Sequence, residues 1–244
     1  MPKSLDSGEM SSEMTKAVQR IEALCGSRIA LQLARWLSIA EAWGNSAALF
    51  DRLAAAPDRA SVLDHVATLR YALVFRGLGL LPSFEPTGPT GPDLLITRDG
   101  ASATVEVTRF RPMNPGPPVS DGEFEILEEY GNPERDVNKS FNKVLDKFSQ
   151  AIGPCAVIAV WNDDDALEEI EMSIALRDLR QDRRLPVGLQ IVVYGSDWMR
   201  DQQLYCFPMK AQLDVHVQQW AHELETVSVS TAVAAALANV RSAV

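Results

Sequence analysis

The chain has 244 residues, 46% of them hydrophobic and 23% charged, enough apolar material for one large domain, or a domain with an extension, without disulfide support. A formal net charge of −10 repels nucleic-acid phosphates on average, so a nucleic-acid function requires a locally positive cleft. Three widely spaced cysteines (Cys25, Cys155, Cys206) argue against a disulfide framework and read as small buried apolar residues, and three scattered histidines (His65, His216, His222) argue against a histidine-rich metal site.

Residues 1–12 are polar and expected to fray. They lack the basic start and apolar core of a signal peptide, and no apolar run reaches spanning length, so the expectation is a cytoplasmic protein with no membrane association. From Glu13 to Ala56 the pattern is helical, broken at Gly26 and at Trp43-Gly44-Asn45, with Ser46 as cap of a third helix that Pro57 ends. Residues 1–57 thus form a helical extension in which nothing suggests chemistry, and residues 58–244 the main α/β domain. Ser61 is the expected cap of the next helix, which presents Val62, Val66, Leu69 and Leu73 on one face and closes at Gly77 and Gly79. A short strand in LLPSFEP, a turn-rich loop, and two strands around Asp99-Gly100 follow. Residues 111–122 read as a long Pro/Gly loop and 123–131 as a short acidic helix. In ERDVNKSFNKVLDKFSQAI, Val137, Phe141, Val144, Leu145, Phe148 and Ile152 share the apolar face of a helix. CAVIAVW is a strand buried on both faces, 166–180 a helix with Leu167, Ile170, Ile174 and Leu179 recurring, VGLQIVVYG a second buried strand, LYCFP an edge strand before Pro208, and VSTAVAAALANV a last helix. The sum is a mixed central sheet flanked by helices, with an N-terminal helical extension.

Asp-Gly in a two-residue loop favours a type I′ hairpin turn. A turn at Asp99-Gly100 pairs Arg98 with Ala101 and, counting back along both strands, Asp93 with Glu106. The same register pairs Leu94 with Val105 and Ile96 with Ala103 on an apolar face, and puts Asp93, Thr97, Ser102, Thr104, Glu106 and Thr108 on the other, with Leu95 as the exception. Opposed like charges destabilise a ladder unless a cation lies between them. Magnesium, which takes one or two carboxylates and keeps several waters, suits such a pair; two hydrated carboxylates on a polar face are the other reading.

Pro92-Asp93 and Glu106-Val107-Thr108, set in the order helix, strand, Pro/Gly loop, hairpin, amphipathic helix, buried strand, resemble the PD-(D/E)xK nuclease superfamily, the restriction-endonuclease-like fold. The resemblance covers residues 60–160 well and the rest loosely. It implies that Asp93, Glu106 and the backbone carbonyl of Val107 hold Mg²⁺ or Mn²⁺. It also implies a lysine two positions after the glutamate, where this chain has Thr108. Some members supply that lysine from the following helix, and Lys147 in KFSQ, with Gln150 three positions on, looks like such a migrated lysine; Lys143 is the second candidate. Thr108 and Gln150 are the supporting residues. Many relatives carry a glutamate in the first helix where this chain has Thr68; Asp64 one turn earlier is a candidate to compensate but is read first as a capping-turn or surface residue, and Glu85 on the preceding strand is a candidate to approach the site but is read first as a solvent-facing edge residue. The activity implied is metal-dependent phosphodiester hydrolysis of nucleic acid, with DNA as substrate, by Asp93, Glu106 and Lys147. The alternative is a nuclease-like fold without activity that binds a protein partner or regulates. Asp163, Asp164 and Asp165 read as a solvated turn capping the next helix, and no Gly-rich phosphate loop, Gly-x-Ser-x-Gly or His-Glu-x-x-His motif points to another hydrolase.

Overall fold

The structure, a computed structural model, describes residues 10–43, 45–88, 90–111, 133–151, 153–163, 169–181, 185–196 and 203–241. Eight helices and six strands alternate along these residues: α1 Ser12–Cys25, α2 Ser27–Ala42, α3 Ala47–Ala55, α4 Arg59–Gly77, β1 Leu81–Phe84, β2 Leu94–Arg98, β3 Ala101–Phe110, α5 Pro133–Asp146, β4 Ala156–Asn162, α6 Glu169–Gln181, β5 Leu189–Ser196, β6 Tyr205–Pro208, α7 Val215–Thr226 and α8 Val229–Arg241. The strands form one open sheet in the order β1-β2-β3-β4-β5-β6. β1, β2 and β3 run antiparallel as a meander, β3, β4 and β5 run parallel through helical crossovers, and β6 returns antiparallel at the far edge. Among the described residues no helix is long and apolar enough to cross a membrane.

Alternation along the strands divides the core in two. Leu94, Ile96, Ala103, Val105, Val107, Val157, Ala159, Trp161, Ile191 and Val193 face a layer built from α1–α4, α7 and α8. Phe110, Ala156, Ile158, Val160, Val192 and Tyr194 face α5 and α6. β4 and β5, covered on both sides, are buried at every position, the burial that parallel strands between helical layers require. The N-terminal helices are continuous with the first layer: Met14, Ile21, Leu37, Leu49 and Leu53 belong to the same core as the sheet. α4 is the axis of that layer and is buried on nearly all sides, not on a single face, because α1–α3, α8 and the sheet surround it. Tyr71 anchors it to the sheet by donating to the Val160 carbonyl at 2.6 Å.

Several expectations are corrected. α7 is absent from the sequence reading, although Asp214 caps it by accepting from His216 and Val217 and its buried Val217, Trp220, Ala221 and Leu224 keep helical spacing. α4 is capped by Asp58, whose side chain accepts from the Ser61 N–H at 2.7 Å; Ser61 is the donor, not the cap. α6 is rotated so that Met172, Ala175, Leu176 and Leu179 are buried while Ile170 is exposed. α5 ends at Asp146, and Lys147 lies in the turn that follows. The three cysteines are half-buried. The 112–122 part of the Pro/Gly loop, the acidic segment 123–131, Ile152, Asp164, Asp165 and Leu167 lie outside the described residues.

α4 and α8 meet at Gly77, where a Cβ would fall 2.0 Å from the Ala232 carbonyl oxygen. Backbone cannot give way as a side-chain tip can, so Gly77→Ala is expected to cost about 1–3 kcal/mol. Thermal unfolding reads this as a Tm lowered by about 2–4 °C per kcal/mol.

Candidate functional site

The hairpin has the register read from the sequence between Leu94–Val105 and Arg98–Ala101, whereas the expected Asp93–Glu106 pair lies beyond the ladder. Asp99 and Gly100 both take positive φ, at 54° and 81°, as a type I′ turn needs, and Leu94 pairs with Val105 and Ile96 with Ala103. β2 begins only at Leu94 while β3 continues along β4 to Phe110, so beyond Val105 the β2 flank of β3 is open. Asp93 occupies that opening. Its Oδ2 accepts from the Val107 N–H at 2.8 Å, continuing the ladder with a side chain where the strand has stopped. Within a strand, a residue's N–H and C=O point to the same flank, so the Val107 carbonyl is directed toward Asp93 as well.

Glu106 projects to the side covered by α5, together with Thr108, and is only 4% exposed. Its Oε1 accepts from Lys147 Nζ at 2.7 Å, and Lys147 also donates to Gln150 Oε1 at 2.8 Å. The turn after α5 sets this reach: the Lys147 N–H bonds the Val144 carbonyl, and the Lys147 carbonyl accepts from Gln150 and Ala151. Burial, and then repulsion from Asp93, push the Glu106 carboxyl up to about 7 against the opposing pull of Lys147. Its second oxygen, Oε2, is buried without a hydrogen-bond partner. A buried acceptor with no donor, beside a second carboxylate, is a site whose charge balance improves with a cation.

The donor set fits a hard divalent ion. Among the described residues no group of three or more His, Cys, Asp or Glu side chains that could hold a metal ion is present. Two carboxylates and a backbone carbonyl, completed by water, are the oxygen-only set that Mg²⁺ or Mn²⁺ accepts.

The opening is a cleft of about 240 Å³ lined by Asp93, Thr108 and Val107 from the hairpin, Asp64, His65 and Thr68 from α4, and Lys143 and Lys147 from the α5 side. It can be reached from both helical layers because the sheet stops there. Arg52 and Arg109 complete the wall, so four cations face Asp64 and Asp93, with Glu106 beneath. Three of these cations are paired with acids, Arg52 with Glu85, Arg109 with Asp64 and Asp163, and Lys147 with Glu106, so the lining is of mixed charge. Lys143 is held below its ordinary pKa by burial, and His65 is likewise lowered by burial and then by Arg52, which favours a neutral imidazole.

The sequence reading missed Arg52, His65 and Arg109. Arg52 comes from the N-terminal extension, where no chemistry was expected, and its Nε pairs with Glu85. Glu85 is accordingly not a solvent-facing edge residue: its side chain is 11% exposed, and its N–H donates to the Asp93 carbonyl at 2.9 Å. Asp64 is neither a capping-turn nor a plain surface residue; it pairs with Arg109 and Arg111. Arg109, 6% exposed, bridges Asp64 on α4 to Asp163 after β4, so Asp163 is an ion-pair partner as well as a turn residue. No local pattern reveals Arg52, since its place depends on how α3 docks.

The raised carboxyl has a consequence for stability. In the folded protein Glu106 holds its proton to about pH 7, whereas an unfolded glutamate releases it near ~4.3. Between those values the folded state binds more protons, so without divalent ions stability is greatest at the acid end of this window and falls as pH rises through it. Thermal unfolding in EDTA is expected to give a lower Tm at about pH 8 than at about pH 5 for this group's contribution, a slope that Glu106→Gln removes and that a divalent ion reverses.

Compared with protein-family models, with curated proteins and with solved structures, the chain has no match in any of the three.

Proposed function

We propose that the protein is a metal-dependent phosphodiesterase that cleaves nucleic acid, with DNA as the substrate, as the resemblance to the PD-(D/E)xK nucleases implies. The observation that carries this reading is the contact of Lys147 Nζ with Glu106 Oε1 at 2.7 Å, beside Asp93. An ammonium, two carboxylates and a strand carbonyl then share one open flank of the sheet. Asp93, Glu106 and the Val107 carbonyl would hold a divalent ion. When bound, such an ion polarises a phosphoryl oxygen and lowers the pKa of water at its surface. Lys147 offers its positive charge to the oxygens of the phosphate as negative charge builds on them, and Gln150 fixes the ammonium by accepting from it. Burial of Glu106 keeps the electrostatics of the centre strong, since few waters screen it. Lys143 lines the approach, where its ammonium favours a polyanion over a neutral ligand.

A second reading is a nuclease-like fold that binds nucleic acid or a protein partner without cleaving. It is favoured by Thr108, which stands where the resemblance asks for a lysine, and by the net charge of −10.

Incubation of purified protein with single-stranded and duplex DNA separates the two. Cleavage is expected with Mg²⁺ or Mn²⁺ and is abolished by EDTA. Asp93→Ala and Glu106→Ala are expected to lower the rate by on the order of 10³-fold, Lys147→Ala by about 10²–10³-fold, and Lys143→Ala by less than about tenfold. Binding without cleavage in every metal supports the second reading, and cleavage that survives Glu106→Ala contradicts the first.

A further inference from the structure

Of the cations that line the cleft, Arg52, Arg109 and Lys147 are engaged with acids of the protein. Lys143 is the exception. Among the described residues it has neither an ion pair nor a hydrogen bond. Two acids act on it, Asp64 across the cleft and Asp146 on its own helix. Asp64 is already taken: its Oδ1 accepts from Arg109 Nη1 at 3.0 Å and Arg111 Nε at 3.3 Å, and its Oδ2 accepts from Arg111 Nη2. Asp146 is exposed, where water screens its charge. The Lys143 side chain is half-buried, and burial holds its ammonium below the ordinary lysine pKa. It has lost hydration without gaining a partner.

Lys143 lies in the last turn of α5, four residues before Lys147, and both line the cleft. The turn that carries Lys147 continues the winding of the helix, its N–H bonding the Val144 carbonyl. Positions four apart on a helix have Cβ atoms roughly 5–6 Å apart, a span comparable to the spacing of successive phosphates on a strand. Lys147 and Arg111 both repel the Lys143 ammonium. An anion at Lys143 therefore breaks no existing ion pair and relieves that repulsion. The cleft is also small. At about 240 Å³ it falls below the ~300–1,000 Å³ of sites that enclose a whole small molecule. A polymer crossing the opening fits it better than a mononucleotide held inside.

We infer that Lys143 is a substrate-contact residue that binds the phosphate next to the cleaved one, so that the substrate is a chain with at least two successive phosphodiesters. This rests on the phosphodiesterase reading, which puts the cleaved phosphate at Lys147 and the acid pair. One helical turn then separates the ammonium that meets the reacting phosphate from the ammonium that meets its neighbour. Lys143 contributes affinity more than rate, because the phosphate it holds carries the same charge in the ground state and the transition state.

The test uses the full chain with a DNA dinucleotide holding one phosphodiester, a trinucleotide holding two, and a longer fluorescein-labelled single strand. Lys143→Met keeps the aliphatic stem and removes the charge. On the trinucleotide it is expected to raise KM about three- to tenfold with kcat nearly constant. On the dinucleotide it is expected to change neither. Replacing one phosphodiester of the trinucleotide by a neutral methylphosphonate is expected to remove the effect as well. Anisotropy of the labelled strand, measured across salt concentration in a Glu106→Gln background, is expected to show the slope of log affinity against log salt reduced by about 1 in Lys143→Met, the signature of one lost phosphate contact. Lys143→Arg is expected to restore that slope. Equal losses on the dinucleotide and the trinucleotide, or an unchanged salt slope, reduce Lys143 to a packing residue and overturn the inference. If that occurs while Glu106-dependent cleavage persists, the phosphodiesterase reading stands alone. If Lys143→Met flattens the salt slope but the native protein cleaves nothing, the phosphate contact stands and catalysis falls. A native protein that neither binds nor cleaves these strands overturns both.

Discussion

The burial of Glu106 is the constraint around which the rest of the site is arranged. A carboxylate with 4% exposure is costly in a protein interior unless positive charge or a proton meets it. Lys147 meets one oxygen, and the other, facing the neighbourhood of Asp93, has no partner. Two acids, one ammonium and one unsatisfied oxygen leave the centre short of positive charge, and the opening past the end of β2 is where a small cation can supply it. A core glutamine would be cheaper for stability alone. The fold instead keeps an acid whose proton affinity lies near neutrality, so proton and metal compete for the same oxygens.

The fold serves this arrangement by ending one strand early. β3 is the longest strand and is shared by the antiparallel and the parallel halves of the sheet. Residues 101–105 pair with β2 and residues 104–110 with β4, so the two ladders overlap only at Thr104 and Val105; Asp93 covers part of the flank left open beyond Val105 through the Val107 N–H. Elements from both layers therefore reach one point: α4 from below, the α5 turn from above, and α3 through Arg52. Arg109, buried between Asp64 and Asp163, ties α4 to the end of β4 and fixes the width of the cleft.

What was legible in the sequence follows the range of the interactions involved. The hairpin register was readable because Asp99-Gly100 dictates a local turn and alternation at Leu94, Ile96, Ala103 and Val105 admits a single pairing. The buried strands β4 and β5 were readable from their unbroken apolar runs. Lys147 was placed on the helix, whereas it sits in the turn beyond Asp146; flank geometry nonetheless pointed it the right way, because that turn continues the direction of the helix. Arg52, His65 and the Arg109 pairs were not legible. Their positions depend on how α3 and α4 dock, and that is decided by packing at Leu49, Leu53, Val62 and Leu69 and not by any local pattern. The face of α6 was misread for a related reason: Ile170 fits the periodicity, but the layer against β4 and β5 selects Met172 and Leu176.

The central claim is that Asp93 and Glu106 form a divalent-cation site whose charge is otherwise incomplete. Isothermal titration calorimetry of the protein with Mn²⁺ near neutral pH, repeated in buffers of different ionisation enthalpy, tests it without reference to any substrate. The account predicts binding of about one ion per chain with release of a proton from the Glu106 carboxyl, both lost in Glu106→Gln. No binding, or binding that is unchanged by that substitution and releases no proton, would contradict it.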